Sequence, residues 1–136
     1  MRKSADWARE RFAAARAARL ATVSAAGRPH IVPIVFALVG DRLITAVDAK
    51  PKSTNVLRRL GNVAANPSVS VLVDHYADDW TQLWWARADG AARVGEAGAV
   101  EGFAALVARY AQYREQPPPG PVIEIRVETW SGWSAE

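Results

Sequence analysis

The run HIVPIVFALVGDRLITAV, His30 to Val47, reads as a hairpin of two largely buried strands. His30–Val39 is dense in β-branched and aromatic residues, which suit a strand covered on both faces for much of its length. Gly40-Asp41 is a two-residue turn signal of the Gly-X kind, and Arg42–Val47 is the returning strand. Pro33 interrupts the first strand and cannot donate to a ladder. It marks an edge or a bulge. Alternatively it faces a flat ligand in place of a neighbouring strand, with the backbone of Val32, Ile34 and Val35 meeting the ligand's polar edge.

Working outward, residues 4–18 favour a helix that Ser4 or Asp6 can cap. Leu20–Ser24 is a short strand, followed by the turn AAGRP with Gly27 free to take a positive φ. On the other side, Ser53 or Thr54 starts a helix reaching about Ala65. Val56, Leu57, Leu60, Val63 and Ala64 share one face of it, and Asn66-Pro67 stops it. Val69–Tyr76 alternates as a strand. The polar loop ADDWTQ leads to a long bent strand, Leu83–Val94, in which Gly90 marks a bulge or a close approach. Ala97–Tyr113 has helical periodicity, REQPPPGP is irregular, and Val122–Glu128 is the last strand. About six strands in hairpins, with two or three helices between them, predict one β-rich α+β domain over residues 1–136. Its expected form is a small, mainly antiparallel barrel with helices packed outside.

The 136 residues include no cysteine, half are hydrophobic, and the net charge is +3 with a pI of about 9.7. Disulfides, thiolate metal sites and cysteine nucleophiles are therefore excluded. No run approaches the ~20 apolar residues of a membrane span, and Asp6, Arg9, Glu10 and Arg11 break any signal-peptide core. The expectation is a soluble cytoplasmic protein with no membrane partner. The arginines are spread along the chain, which favours a small anionic ligand over nucleic acid. Neither GxGxxG nor GxxxxGK[ST] is present. DHYADD, Asp74–Asp79, reads as a solvated turn in preference to a metal site. Trp84 and Trp85 are neighbours in a strand, so one faces the core and the other faces outward, where a subunit interface or a ligand would cover it.

The hairpin leads into VDAKPKSTN, Val47 to Asn55. Two lysines flank a proline where a strand gives way to a helix. Such lysines are either solvated or aimed at an anion, which free backbone N–H groups and the helix dipole also favour.

The stretches RLATVSAAGRPHIVPIVFAL, DRLITAVDAKPKSTNVLRRLGNVAANPSVSVLVDHY and LWWARADGAARV, in this order, resemble the pyridoxamine-phosphate-oxidase-like split-barrel superfamily. The resemblance covers roughly residues 19–95. The ending RYAQYREQPPPGPVIEIRVETWSGW is similar to that of one branch, the oxidoreductases that use the deazaflavin coenzyme F-420. In the FMN-using oxidases a strand arginine and a glutamine-containing strand help hold the flavin. Here HIVPIVFAL carries no arginine or lysine, and Trp84-Trp85 replaces the polar pair. The deazaflavin branch holds its phosphate with K/R-x-K-x-x-N, which Lys50, Lys52 and Asn55 match.

The resemblance implies that Lys50 and Lys52 hold the coenzyme phosphate, with Ser53, Thr54 and Asn55 assisting. It places the ring beside Pro33 and Ile34, with Thr45 and Ala46 as floor and Trp80 as cover. It further implies a homodimer whose sites are completed by the partner chain. Hydride transfer to or from an unsaturated small molecule would be cofactor-borne, with no catalytic side chain assigned. The alternatives are an FMN-binding oxidase or flavin reductase, and a non-catalytic protein that binds or shields a cofactor.

Overall fold

Alternating side chains give each strand of this chain a core-facing and an outward row. Ala18, Leu20 and Thr22 turn inward along one strand, and Val69, Val71 and Val73 along another, while Arg19 and Asp74 turn out. The structure is a computed structural model that describes residues 1–47 and 54–136, the side chains of 54–57 excepted. The strands are β1 (Arg2–Lys3), β2 (Ala18–Val23), β3 (Pro29–Ile34), β4 (Ala37–Val39), β5 (Arg42–Ala46), β6 (Ser68–His75), β7 (Trp84–Gly95) and β8 (Val122–Ser134). The helices are α1 (Ala5–Ala14), α2 (Thr54–Ala65), α3 (Phe103–Arg109) and α4 (Ala111–Glu115).

One antiparallel sheet runs β3-β2-β6-β7-β8-β5-β4, with β1 added to the end of β8. The sheet curls into a split barrel, the fold expected from the hairpin pattern. Its concave side holds one core, in which Phe12 of α1 meets the rings of Phe36 and Trp130 edge-on, with centroids 6.0 and 5.2 Å apart. A second core lies where α3 and α4 cover Ile44, Ala46 and Val122.

The expected strand 30–39 is two strands. β3 pairs with β2 and β4 pairs with β5, so the chain changes neighbours at Val35-Phe36. There Phe36 N–H donates to the Tyr110 hydroxyl at 3.1 Å instead of to a strand. Pro33 lies in β3, the last strand on its side of the described sheet, where an edge tolerates proline. The expected helix 97–113 is broken into a 3-10 turn (97–99), α3 and α4. Gly102 at φ +95° and Tyr110 in extended backbone interrupt it. The last strand runs on to Ser134 because β7 pairs with it along its whole length. The first helix stops at Ala14, since Ala18 already belongs to β2.

The sequence-based hairpin at Gly40-Asp41 is present, with Gly40 at φ +61°. The register shift expected at Gly90 falls between Asp89 and Gly90. Trp84 packs on the core and meets Trp7 edge-on, while Trp85 faces the other way and lies opposite Trp133 on β8.

Candidate functional site

Two polar residues that cannot reach water join α2 to the sheet. Asn62 is 6% exposed and Thr22 1%, and the Asn62 amide donates to the Thr22 hydroxyl at 3.1 Å. A buried polar pair is stable only when each satisfies the other, so this bond fixes which face of α2 meets β2. Arg58 stands one turn before Asn62 on that face.

Opposite α2, the β2–β3 turn is held by its own hydrogen bonds. Ser24 N–H donates to Arg28 O at 2.9 Å, Gly27 N–H to Ser24 O at 2.9 Å, and Arg28 N–H to the Ser24 hydroxyl at 3.0 Å. Gly27 at φ +83° allows the reversal. Between turn and helix lies a groove of about 630 Å³ lined by Ser24, Arg28, Pro29, His30, Arg58 and Asn62. Neither Arg28 nor Arg58 is in an ion pair among the described residues. The Nδ1 atom of His30 is buried without a hydrogen-bond partner among the described residues. No carboxylate stands among these lining residues. The groove therefore offers two guanidinium forks, donor chemistry that suits an anionic group, with the His30 ring beside them.

α2 continues directly from the basic elbow. Lys50, Lys52 and Ser53 lie outside the described residues. Thr54 and Asn55 are the first residues of α2, and their side chains lie outside the description too. No acidic residue occupies the first turn of α2, so the positive end of its dipole is not offset there.

Pro33 is exposed on β3, next to Ile34, whose side chain is in the core at 5% exposure. Thr45 and Ala46 are also buried, at 2% and 7%. The Thr45 hydroxyl donates to Val35 O at 2.8 Å, which brings β5 against the residue after Ile34. Trp80 stands apart from this group. It lies in a 3-10 turn, Trp80–Gln82, between β6 and β7, and is 74% exposed. Asp79 caps that turn by accepting from Thr81 N–H at 3.0 Å and from the Thr81 hydroxyl at 2.7 Å. These bonds, the hydroxyl's first, hold the Asp79 carboxyl below its usual pKa. The turn precedes Trp84, which pairs with Ser134 at one end of β8, whereas Ala46 pairs with Val122 at the other.

The reading of the sequence overlooked Arg28, His30, Arg58 and Asn62. A signal for the last two was present, since residues four apart share a helix face, and a polar pair there stands beside the apolar Leu60 and Val63.

A family model described as pyridoxamine 5'-phosphate oxidase matches residues 5–134. Among solved structures, an FAD-binding protein from Mesorhizobium loti superposes with a TM-score of 0.72 at 22% identity, covering 97% of this chain and 95% of that one. An FAD-binding protein from Mycobacterium smegmatis gives 0.67 at 19% identity, covering 98% and 97%. A heme storage protein from Vibrio cholerae gives 0.68 at 18% identity, covering 97% and 95%. No curated protein matches the sequence. At these identities the structural likenesses show a shared fold, and the fold carries more than one kind of cofactor.

Proposed function

The chain belongs to the pyridoxamine 5'-phosphate oxidase family, and from that premise we propose that it is an oxidoreductase that uses the deazaflavin coenzyme F-420. The observation that carries this reading is the acid-free groove beside α2, with Arg28, Arg58 and the His30 ring. It adjoins the helix that the K-x-K-x-x-N elbow leads into, so both basic elements serve one anion. Lys50 and Lys52 would take the phosphate, and Arg58 and Arg28 the remaining negative charge.

The coenzyme, when bound, supplies hydride transfer to or from an unsaturated small molecule, and the chain supplies position and charge. β3 is the edge of the described sheet, and its free backbone edge at Val32–Ile34, where Pro33 can donate to no further strand, would serve as the wall for a flat ring. The absence of lysine or arginine along residues 30–38 distinguishes this wall from the cationic strand of the FMN-using branch. A flavin in the same groove is the second reading, favoured by the FAD-binding proteins of similar fold.

Trp80 supports the homodimer in this reading. It is exposed and separate from the Thr45–Val35 contact of its own chain, so it would cover the site of a second copy. The outward Trp85 and Trp133, in register with one another, suit the face between copies.

The test is substitution on both sides of the groove. Arg58→Ala and Lys52→Ala should each weaken F-420 binding by about 1.5–3 kcal/mol, the size of a charged hydrogen bond. Stability without coenzyme should stay within about 0.5 kcal/mol, as for other surface changes. Unchanged affinity in both variants would remove the groove and elbow from the site.

A further inference from the structure

Two arginines pair with one buried carboxylate on the outward face of the sheet, and a third stands beside them. Glu124 of β8 is 6% exposed. It accepts from Arg93 Nε of β7 at 2.8 Å and lies 3.5 Å from Arg42 Nη1 of β5. Arg126 is two residues along β8 on the same side, directly opposite Arg42 on β5 and Ala91 on β7. Together with Ala91 and Ala92 these residues line a cleft of about 260 Å³.

Two features of this cluster point outward, to a ligand. Like charges directly opposite one another on paired strands repel, and Arg42 and Arg126 are such a pair. One carboxylate against three guanidinium groups leaves two positive charges. The nearby acids do not cancel them. Asp41 is engaged with Arg9 at 3.6 Å and with the Trp130 indole N–H at 3.2 Å, and Glu128 forms no ion pair among the described residues. The second feature is order. A buried carboxylate held by two arginines fixes their positions, and Arg93 spends only Nε on Glu124. The outer nitrogens of Arg93 and the whole fork of Arg126 have no partner among the described residues. Two guanidinium groups oriented by Glu124, beside the free fork of Arg126, match the oxygens of a phosphate group.

We propose that this cleft binds the phosphate group of a small molecule, with Arg126, Arg93 and Arg42 as its donors and Glu124 as the anchor of Arg93 and Arg42. The proposal is independent of the F-420 reading, because no residue of the cleft lines the groove beside α2.

The experiment follows the arginine Nε–H resonances of the full-length protein during titration with inorganic phosphate, glycerol 3-phosphate and acetate at constant ionic strength. Saturable shifts at Arg42, Arg93 and Arg126 with the two phosphates, and not with acetate, are expected. Whichever phosphate binds more tightly identifies the source, free phosphate or an ester. Arg126→Gln, an exposed change, should weaken phosphate binding about tenfold, as loss of a charge-assisted contact implies. It should also raise Tm in phosphate-free buffer, by relieving the Arg42–Arg126 repulsion. Arg58→Ala should leave these shifts as they are. Any of three results would overturn the proposal: no saturable phosphate shift, equal response to acetate, or wild-type phosphate affinity in Arg126→Gln. Shifts that follow protein dilution instead would assign the cluster to contact between copies and overturn it as well.

Discussion

Gly90 stands where β7 slips register against β8 and the two backbones close in. A Cβ at this position would lie 2.1 Å from the Arg126 carbonyl oxygen, a rigid backbone atom that cannot swing away. Gly90→Ala should therefore destabilise the protein by about 3 kcal/mol, the upper part of the range for overpacking. Urea unfolding checks this, and a loss within error of zero would contradict the close approach. Gly90 was legible in the sequence because a glycine inside a strand has few other uses. The split of Trp84 and Trp85 between two faces was legible for a similar reason, since strand alternation leaves no other choice. Arg28 and His30 were not. Their meaning depends on α2 standing opposite their turn, and nothing local to AAGRPH says so.

Tyr110 and Arg109 tie elements that the sequence left unconnected. The Tyr110 hydroxyl accepts from Phe36 N–H and lies within hydrogen-bonding distance of Phe36 O, at 2.8 Å, and Arg16 O, at 3.1 Å. Arg109 donates to Phe36 O at 2.6 Å, to Ala13 O at 3.1 Å and to Ala15 O. Together they fasten the junction of α3 and α4 to the end of α1 and to the break between β3 and β4. Periodicity alone reads 97–113 as one helix. The helix breaks at Tyr110, whose extended backbone lies where these tertiary bonds are made. Tyr110→Phe keeps the ring and removes the hydroxyl, leaving the part-buried Phe36 N–H without its partner. The expected cost is about 1–3 kcal/mol. Chemical denaturation measures it, and an unchanged midpoint would show that the hydroxyl does not hold the junction.

At the scale of the whole molecule, alternating strands and short turns made a β-rich barrel readable. The order of strands was not readable. β2 pairs with β6 and β5 with β8 across long separations, and such pairings follow from the closing of the sheet around its core, not from neighbouring residues. The same limit applies to the site. The elbow lysines could be recognised as a motif, but the groove between α2 and the β2–β3 turn exists only once α2 is seated on β2. No described helix is long and apolar enough to cross a membrane. The fold alone does not choose between cofactors, since proteins of similar structure are named for FAD binding and for heme storage. The choice rests on the chemistry of the groove and of the wall along β3. It is tested most directly by parallel fluorescence titrations of the full-length protein with oxidised F-420 and with FMN. Saturable F-420 binding at least tenfold tighter than FMN is expected, a difference of about 1.4 kcal/mol. Equal or tighter binding of FMN, or no binding of F-420, would contradict it.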